Sequence, residues 1–441
     1  MTQNIGQSQK TGFGSFLRAL KHKNYRLFFA GQGVSLIGTW MQMVATSWLV
    51  YRLTGSAFYL GVISFCDSAP ILFGAPIAGV LADRWPRKNI VILTQIFAML
   101  QAFILAAIVF FHLATIPLLI ILSLMRGLIN TFDMPTRQAF VFEMVDDKND
   151  LPNAIALNSM LFNMARFVGP SIAGFVIAYT GEAACFFING ISFLAVIFAL
   201  YAMKIVCPPA IRQSGSILGG IKAGLKYSFN FTPIRTILIY TAITSFFATP
   251  YLVLMPVFAK VILHGDSRTL GFLMAAIGTG AFIGAVILAK RKSVRGLENV
   301  IIIASIIFAA GIIGFSFSKN LWLSFCLIVL PGFGVMVQMA SINIILQTIV
   351  DDDKRGRVLS LHTMSFIGIV PFGNLLAGFV AEHIGAPKTL LISGILSIAT
   401  MLMFLRQLPE IRRLIEPIYL KKETIQESIN AVSMMETQIK D

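Results

Sequence analysis

Three ionisable side chains stand in apolar runs that offer no water to hydrate them: Asp67 midway along 57–81, Arg126 in 115–134 and Arg166 in 153–179. A charge at the centre of a bilayer costs about 2.5–3.5 kcal/mol on insertion scales, so such a group is read first as a functional one. The chemistry open to them is proton exchange. A dry environment raises the pKa of a carboxyl and a neighbouring guanidinium lowers it. Alternation between dry and wet, or paired and unpaired, surroundings would therefore load and release a proton. Asp67 is the expected titrating group, tuned by Arg126 or Arg166; the plainer alternative is that it neutralises one of those arginines.

Helical spacing gathers further polar groups around these three. Arg126, Asn130, Asp133 and Arg137 are four, three and four residues apart and stack on one helix face, as do Ser159, Asn163 and Arg166. Gln32, Ser35, Thr39, Gln42 and Thr46 form a similar stripe in 27–50, and Ser64, Asp67 and Ser68 share a face in 57–81. Such stripes turn away from lipid, which predicts one wet cavity lined by Asp67, Arg126, Asn130, Asn163, Arg166 and Gln42. The neutral members would serve equally well as hydrogen-bonding glue between helices.

The elements that must position these groups are membrane spans. Of 441 residues, 56% are hydrophobic and 12% charged, and the mean hydropathy is +0.80. Soluble domains carry about 25% charged residues, so a water-soluble globule is excluded. Apolar runs of spanning length recur at 27–50, 57–81, 90–111, 115–134, 153–179, 183–203, 234–262, 268–290, 298–317, 321–349, 357–382 and 387–406. The expected organisation is an N-terminal cytoplasmic or interfacial segment (1–23), a six-helix bundle (24–203), a cytoplasmic linker (204–233), a second six-helix bundle (234–406) and a cytoplasmic tail (407–441). Phe13, Phe16, Leu17 and Leu20 beside Arg18, Lys21 and Lys23 give the first segment the pattern of a helix lying on a membrane surface.

The net charge of +15 would suit a nucleic-acid partner, but its distribution explains it better. With both termini inside, most of the 35 lysines and arginines fall in cytoplasmic segments, as the positive-inside rule requires. Cys66, Cys185, Cys207 and Cys326 show no paired or metal-ligand spacing and read as small buried residues. The halves also repeat. Ala173-Gly174-Phe175-Val176 recurs as Ala377-Gly378-Phe379-Val380, and Leu60-Gly61 as Leu270-Gly271. A direct repeat of six spans keeps its orientation, so the two bundles should be related by an axis along the membrane normal, with the cavity between them.

One charged segment separates the second and third runs: Gly79-Val80-Leu81-Ala82-Asp83-Arg84-Trp85-Pro86-Arg87-Lys88. Its spelling resembles the loop 2–3 signature of the major facilitator superfamily of secondary transporters, with Pro86 where that family usually has Gly. The resemblance implies a cytoplasmic gate built from Gly79, Asp83, Arg84, Arg87, Lys88, Asp133 and Arg137. In it Asp83 would brace the start of the eleventh span near Arg357, and Arg87 would pair with Asp133. The equivalent segment of the second half, Lys290-Arg291-Lys292, lacks the acid. In the fifth span, Ala165 through Gly174 resembles the antiporter motif of the same superfamily, with a helix kink at Gly169, Pro170 and Gly174 and with Ala165 and Ala173 replacing glycines. Asp133 through Phe140 and Phe379 through Pro387 are similar to a bacterial branch that includes the enterobactin exporter and the transmembrane secretion effectors.

The resemblance implies an all-α integral membrane protein of the major facilitator fold, with twelve transmembrane helices in two pseudo-symmetric bundles. Its expected work is proton-coupled export (antiport) of small amphipathic molecules across the bacterial inner membrane by alternating access. A siderophore-specific exporter and a lysophospholipid flippase are the alternatives within transport; a non-transporting membrane scaffold or sensor is the alternative outside it. No Walker loop, metal-ligand cluster or nucleophile elbow is present in the sequence. The expectation is accordingly no enzyme activity, no metal, no cofactor beyond a proton gradient, and a monomer whose partners are a small-molecule substrate and membrane lipid.

Overall fold

A computed structural model describes residues 17–204, 217–291, 293–351 and 354–438. Among them the chain is helical throughout. The long helices are α1 (Lys23–Thr54), α2 (Ala57–Arg84), α3 (Arg87–Phe110), α4 (Ile116–Met144), α5 (Leu151–Thr180) and α6 (Glu182–Ala202). A short amphipathic helix, α7 (Ile217–Asn230), follows. The second half supplies α8 (Thr232–Ile262), α9 (Ser267–Ala289), α10 (Leu297–Phe317), α11 (Leu321–Ile349), α12 (Arg355–Ile384) and α13 (Ala386–Gln438). Ten of these are long and apolar enough to cross a membrane; α1 and α2 bring the long helices of the described residues to twelve, consistent with the expected count.

The chain divides into two compact units. The first takes its residues from Met1–Leu53, Ala69–Gln213 and Asp266–Ala275; the second from Thr54–Ser68, Ser214–Gly265 and Ala276–Asp441. Each unit thus includes a short stretch from the other half of the sequence. In the first, Gly271 meets Gly174 so closely that a Cβ added to Gly174 would lie 3.2 Å from the Gly271 Cα. In the second, Gly61 meets Gly378, with the corresponding distance 3.3 Å from a Cβ on Gly61. These four residues are the glycines the internal repeat pairs, and each unit makes the same backbone-to-backbone contact with its own two.

Apolar clusters hold each unit at one end. In the first, Tyr25, Phe28, Phe140, Met144 and Leu200 pack together, and the Tyr25 hydroxyl donates to the Ala154 carbonyl at 2.7 Å. In the second, Tyr240, Leu297, Ile345, Phe404, Ile411 and Ile415 pack together. The latter cluster also takes in part of the tail expected at 407–441. Proline inside a helix removes a donor and costs about 3 kcal/mol, yet α13 runs through Pro409 and Pro417. Ile411, Ile415 and Tyr419, four apart, bury one stripe of it against the start of α10. Arg412 adds a bond to Asn299 and an ion pair with Glu298 at 3.4 Å.

The segment 79–88 is not a loop of ten residues. Helix α2 continues to Arg84 and α3 starts at Arg87, leaving Trp85 and Pro86 between them. Residues 80–85 contain no glycine or proline to end the helix earlier, and Pro86 disfavours the helical conformation in the residue before it. Cys185 is buried as expected and Cys66 half-buried, but Cys326 is exposed on α11; Cys207 lies outside the described residues, as do 1–16 of the N-terminal segment and 205–216 of the linker.

Candidate functional site

The first unit contains a polar hollow of about 60 Å³ enclosed by α1, α3, α4 and α6. Its wall includes Gln42 from α1, Gln95 and Gln101 from α3, Arg126, Asn130, Asp133 and Arg137 from α4, and Asn189 from α6. Space of this size among polar groups has room for a few ordered waters. The four α4 residues that sequence spacing placed on one face thus share one hollow, together with Ser35 and Thr39 of the α1 stripe.

A connected set of hydrogen bonds fixes the wall. Gln42 is fully buried; its Nε2 donates to Gln101 Oε1 at 2.9 Å, and its Oε1 accepts from Asn189 Nδ2 at 2.6 Å. Gln101 in turn donates to the Leu122 carbonyl at 3.3 Å. Asp133, 5% exposed, accepts at Oδ1 from Thr94 Oγ1 (2.9 Å) and Gln95 Nε2 (2.8 Å), and its Oδ2 lies 3.2 Å from Arg137. A buried carboxylate needs this many donors to offset its lost hydration. Gln42, Gln95, Gln101, Asp133 and Asn189 are each held by a neighbour on another helix, so this part of the wall is shaped in advance of any ligand.

Asp133 does not take the partner the resemblance implied. Arg87 donates instead to Glu143 Oε1 at 2.7 Å. Register explains the difference. The start of α3 meets the far end of α4, and Asp133 lies ten residues before Glu143, about 15 Å along a helix. Thr94 and Gln95, two turns into α3, are the residues at that level. Lys88 caps the end of α6 through the Met203 carbonyl at 2.8 Å. The surroundings of Gly79 and the side chains of Asp83 and Arg84 lie outside what the structure describes.

The remaining candidates lie elsewhere. Arg166 stacks over the Trp40 ring at 5.7 Å. Asn163 donates to the Ser159 carbonyl of its own helix at 2.8 Å. Neither is among the described residues that line the hollow. Asp67 is half-buried on α2, near the end of the Thr54–Ser68 stretch that belongs to the second unit. Gly169 brings α5 against α1, where an added Cβ would meet the Trp40 Cβ at 2.6 Å, and Pro170 stands inside α5 without ending it.

Sequence reasoning passed over Thr94, Gln95, Gln101 and Asn189. Part of the signal was present: Thr94 and Gln101, seven apart, fall on one face of α3, whereas Gln95 and Asn189 had no amide companion on theirs. It also passed over the second unit's buried network. There Tyr240 Oη lies 2.6 Å from Ser305 Oγ and donates to Gln338 Oε1 at 3.0 Å. These come from α8, α10 and α11, the first, third and fourth long helices of the second half, as Gln42, Gln101 and the Arg126 face come from the first, third and fourth of the first half.

The chain matches the family of transmembrane secretion effectors over residues 14–433. It belongs to that family, a branch of the major facilitator superfamily. A staphyloferrin A transporter of Staphylococcus aureus is 27% identical over 387 residues, covering 86% of this chain and 95% of that protein. The multidrug efflux pump Tap of Mycobacterium tuberculosis is 24% identical, covering 87% and 91%. Among solved structures, the nucleoside transporter NupG superposes with a TM-score of 0.68 at 15% identity, covering 88% of this chain and 99% of NupG. A bacterial homologue of the human lysosomal transporter Spinster gives 0.66 at 14% identity, covering 90% and 98%. These likenesses establish the fold of a multi-pass major facilitator protein.

Proposed function

We propose that this chain is a proton-coupled exporter of small amphipathic molecules in the bacterial inner membrane, working by alternating access with both termini in the cytoplasm. The observation that carries this reading is the preformed polar hollow within a membrane-spanning unit, with Arg126, Asn130, Asp133 and Arg137 on one wall. Static packing between apolar helices does not need two guanidiniums and a carboxylate on one face of a spanning helix. The family and the efflux proteins among the relatives support the direction of transport. Asp67 is the proton-carrying group in this proposal, because it is an acid placed among apolar residues of α2 and only half-buried.

A second reading, a siderophore-specific exporter, is favoured by the pair of guanidiniums on that wall, which suits an anionic chelator. The relative named as a staphyloferrin A transporter points the same way.

The test is transport by purified protein in proteoliposomes under an imposed pH gradient, with a cationic dye, a macrolide and an iron-free siderophore as cargo. Wild type should move at least one of these against its concentration gradient, and Asp67→Asn should lower gradient-driven movement at least tenfold. Undiminished coupling in Asp67→Asn removes that residue from the mechanism. Wild-type movement that ignores the pH gradient overturns proton coupling altogether.

A further inference from the structure

The segment from Ala289 to Gly296 carries four cations and no acid, and the proposed transport cycle makes no use of it. Lys290 and Arg291 are both exposed. They stand at the mouth of an apolar groove of about 390 Å³ formed by α9, α10 and α11. The groove lies wholly within the second unit. Ile287 (54% exposed) and Ile303 (57% exposed) form its rims, and Ile307, Phe333 and Val337 line it further in. Gly284 lets α9 approach α11: a Cβ there would lie 2.9 Å from a methyl of Val337 and 3.2 Å from the Phe333 carbonyl.

We infer that this groove seats one anionic glycerophospholipid, with an acyl chain along Ile287, Ile303 and Phe333 and the phosphate against Lys290 and Arg291. Two features together point to that occupant. The concave apolar wall is shaped for a chain, and the charge at its mouth is of one sign. Arg291 is oriented by its bonds to the carbonyls of Ser293 (2.9 Å) and Arg295, so its guanidinium stays in place at the mouth. Glu298, the nearest acid in sequence, pairs with Arg412 at 3.4 Å. Basic pockets between spans at the membrane surface bind anionic headgroups by this combination of charge and apolar wall.

The full-length protein, purified in detergent, is titrated with short-chain phosphatidylglycerol or phosphatidylcholine, and bound lipid is counted by native mass spectrometry. Wild type should retain one phosphatidylglycerol in preference to phosphatidylcholine. Lys290→Glu should weaken that preference more than fivefold, since the loss of one surface charge alone is worth about fivefold and the substitution reverses it. Ile303→Trp, which fills the groove and leaves the cations intact, should lower retention of both lipids, while Phe198→Trp on the exposed face of α6 should change neither. Equal retention of both lipids by wild type overturns the proposal, as does an unaltered preference in Lys290→Glu. Displacement of the lipid by glycerol phosphate at equal concentration would assign the cations to a soluble anion and equally overturn it.

Discussion

The carbonyl oxygen of Pro170 lies 2.6 Å from where a Cβ on Gly271 would sit, so the backbones of α5 and α9 touch with no side chain between them. The repeat-related pair in the second unit, Gly61 and Gly378, is as close: a Cβ on Gly378 would lie 2.7 Å from the Ala57 carbonyl. Small residues drive helix association in lipid because they admit this approach. Next to the second contact, Glu382 accepts from Ser56 Oγ (2.9 Å) and from the backbone N–H of Ala57 (2.8 Å), which fixes the start of α2.

Gly271→Val should therefore force the two backbones apart. We expect about 1–3 kcal/mol of destabilisation from overpacking, read as a fall of several degrees in the apparent Tm of purified protein. Gly356→Ala provides the contrast. Nothing lies within 4 Å of a Cβ there, and its Tm should hold or rise slightly. Equal Tm values for the two variants would show that the close approach contributes nothing.

Asp133→Ala leaves Thr94, Gln95 and Arg137 without their shared acceptor in a buried place. Removing one partner of such a group costs about 3–5 kcal/mol. Asp133→Asn keeps an acceptor oxygen for two of the three donors and should fold with a smaller loss. Thermal unfolding of both variants checks the order; a fully stable Asp133→Ala would show that the network is dispensable.

Arg87 and Glu143 should behave as a coupled pair. Arg87→Glu places two acids together where the start of α3 meets the end of α4, and Glu143→Arg in the same chain restores an opposite pair. The half-buried setting suggests about 1 kcal/mol of coupling, measurable as recovered thermal stability in the double variant. Rescue of Arg87→Glu by Asp133→Arg instead would overturn the assignment of partners.

His22 gives a pH dependence outside the spans. Its Nε2 lies 3.0 Å from Asp150 and its Nδ1 3.4 Å from Asp146. Burial works to lower its pKa, but the hydrogen bonds and charges of Asp150 and Asp146 together outweigh it and hold the pKa above the ordinary 6.5. A raised folded-state pKa means the protonated form stabilises the fold. That contribution is complete below about pH 6.5 and is lost as pH rises through the folded value. Arg18, also paired with Asp150, keeps its charge throughout. Wild type should lose apparent Tm as pH rises above about 6.5, and His22→Gln should be flatter there; parallel curves would remove His22 as the titrating group.

The fold was legible in the sequence because its signals are collective. Apolar runs of spanning length repeat, and Gly174 and Gly378 sit at the same place in each half. The α4 stripe was legible for a local reason, since the spacing of Arg126, Asn130, Asp133 and Arg137 fixes a face without knowledge of any neighbour. What neighbours decide was not legible. Which of Glu143 and Asp133 meets Arg87 depends on how far α3 slides along α4, and no residue in either helix announces that offset. Gln95 and Asn189 were likewise silent, because a lone amide in a span acquires meaning only when another helix presents its complement. The packing of the tail was silent for a similar reason, since the stripe of Ile411, Ile415 and Tyr419 finds its surface on α10.

That last stripe has a mechanical consequence. With α13 unbroken from Ala386 to Gln438, its 53 residues follow a path about 80 Å long at 1.5 Å per residue, seated near the middle on the first turn of α10 through Ile411, Arg412 and Ile415. A truncation after Tyr419 would therefore remove the outer arm and leave that seat intact.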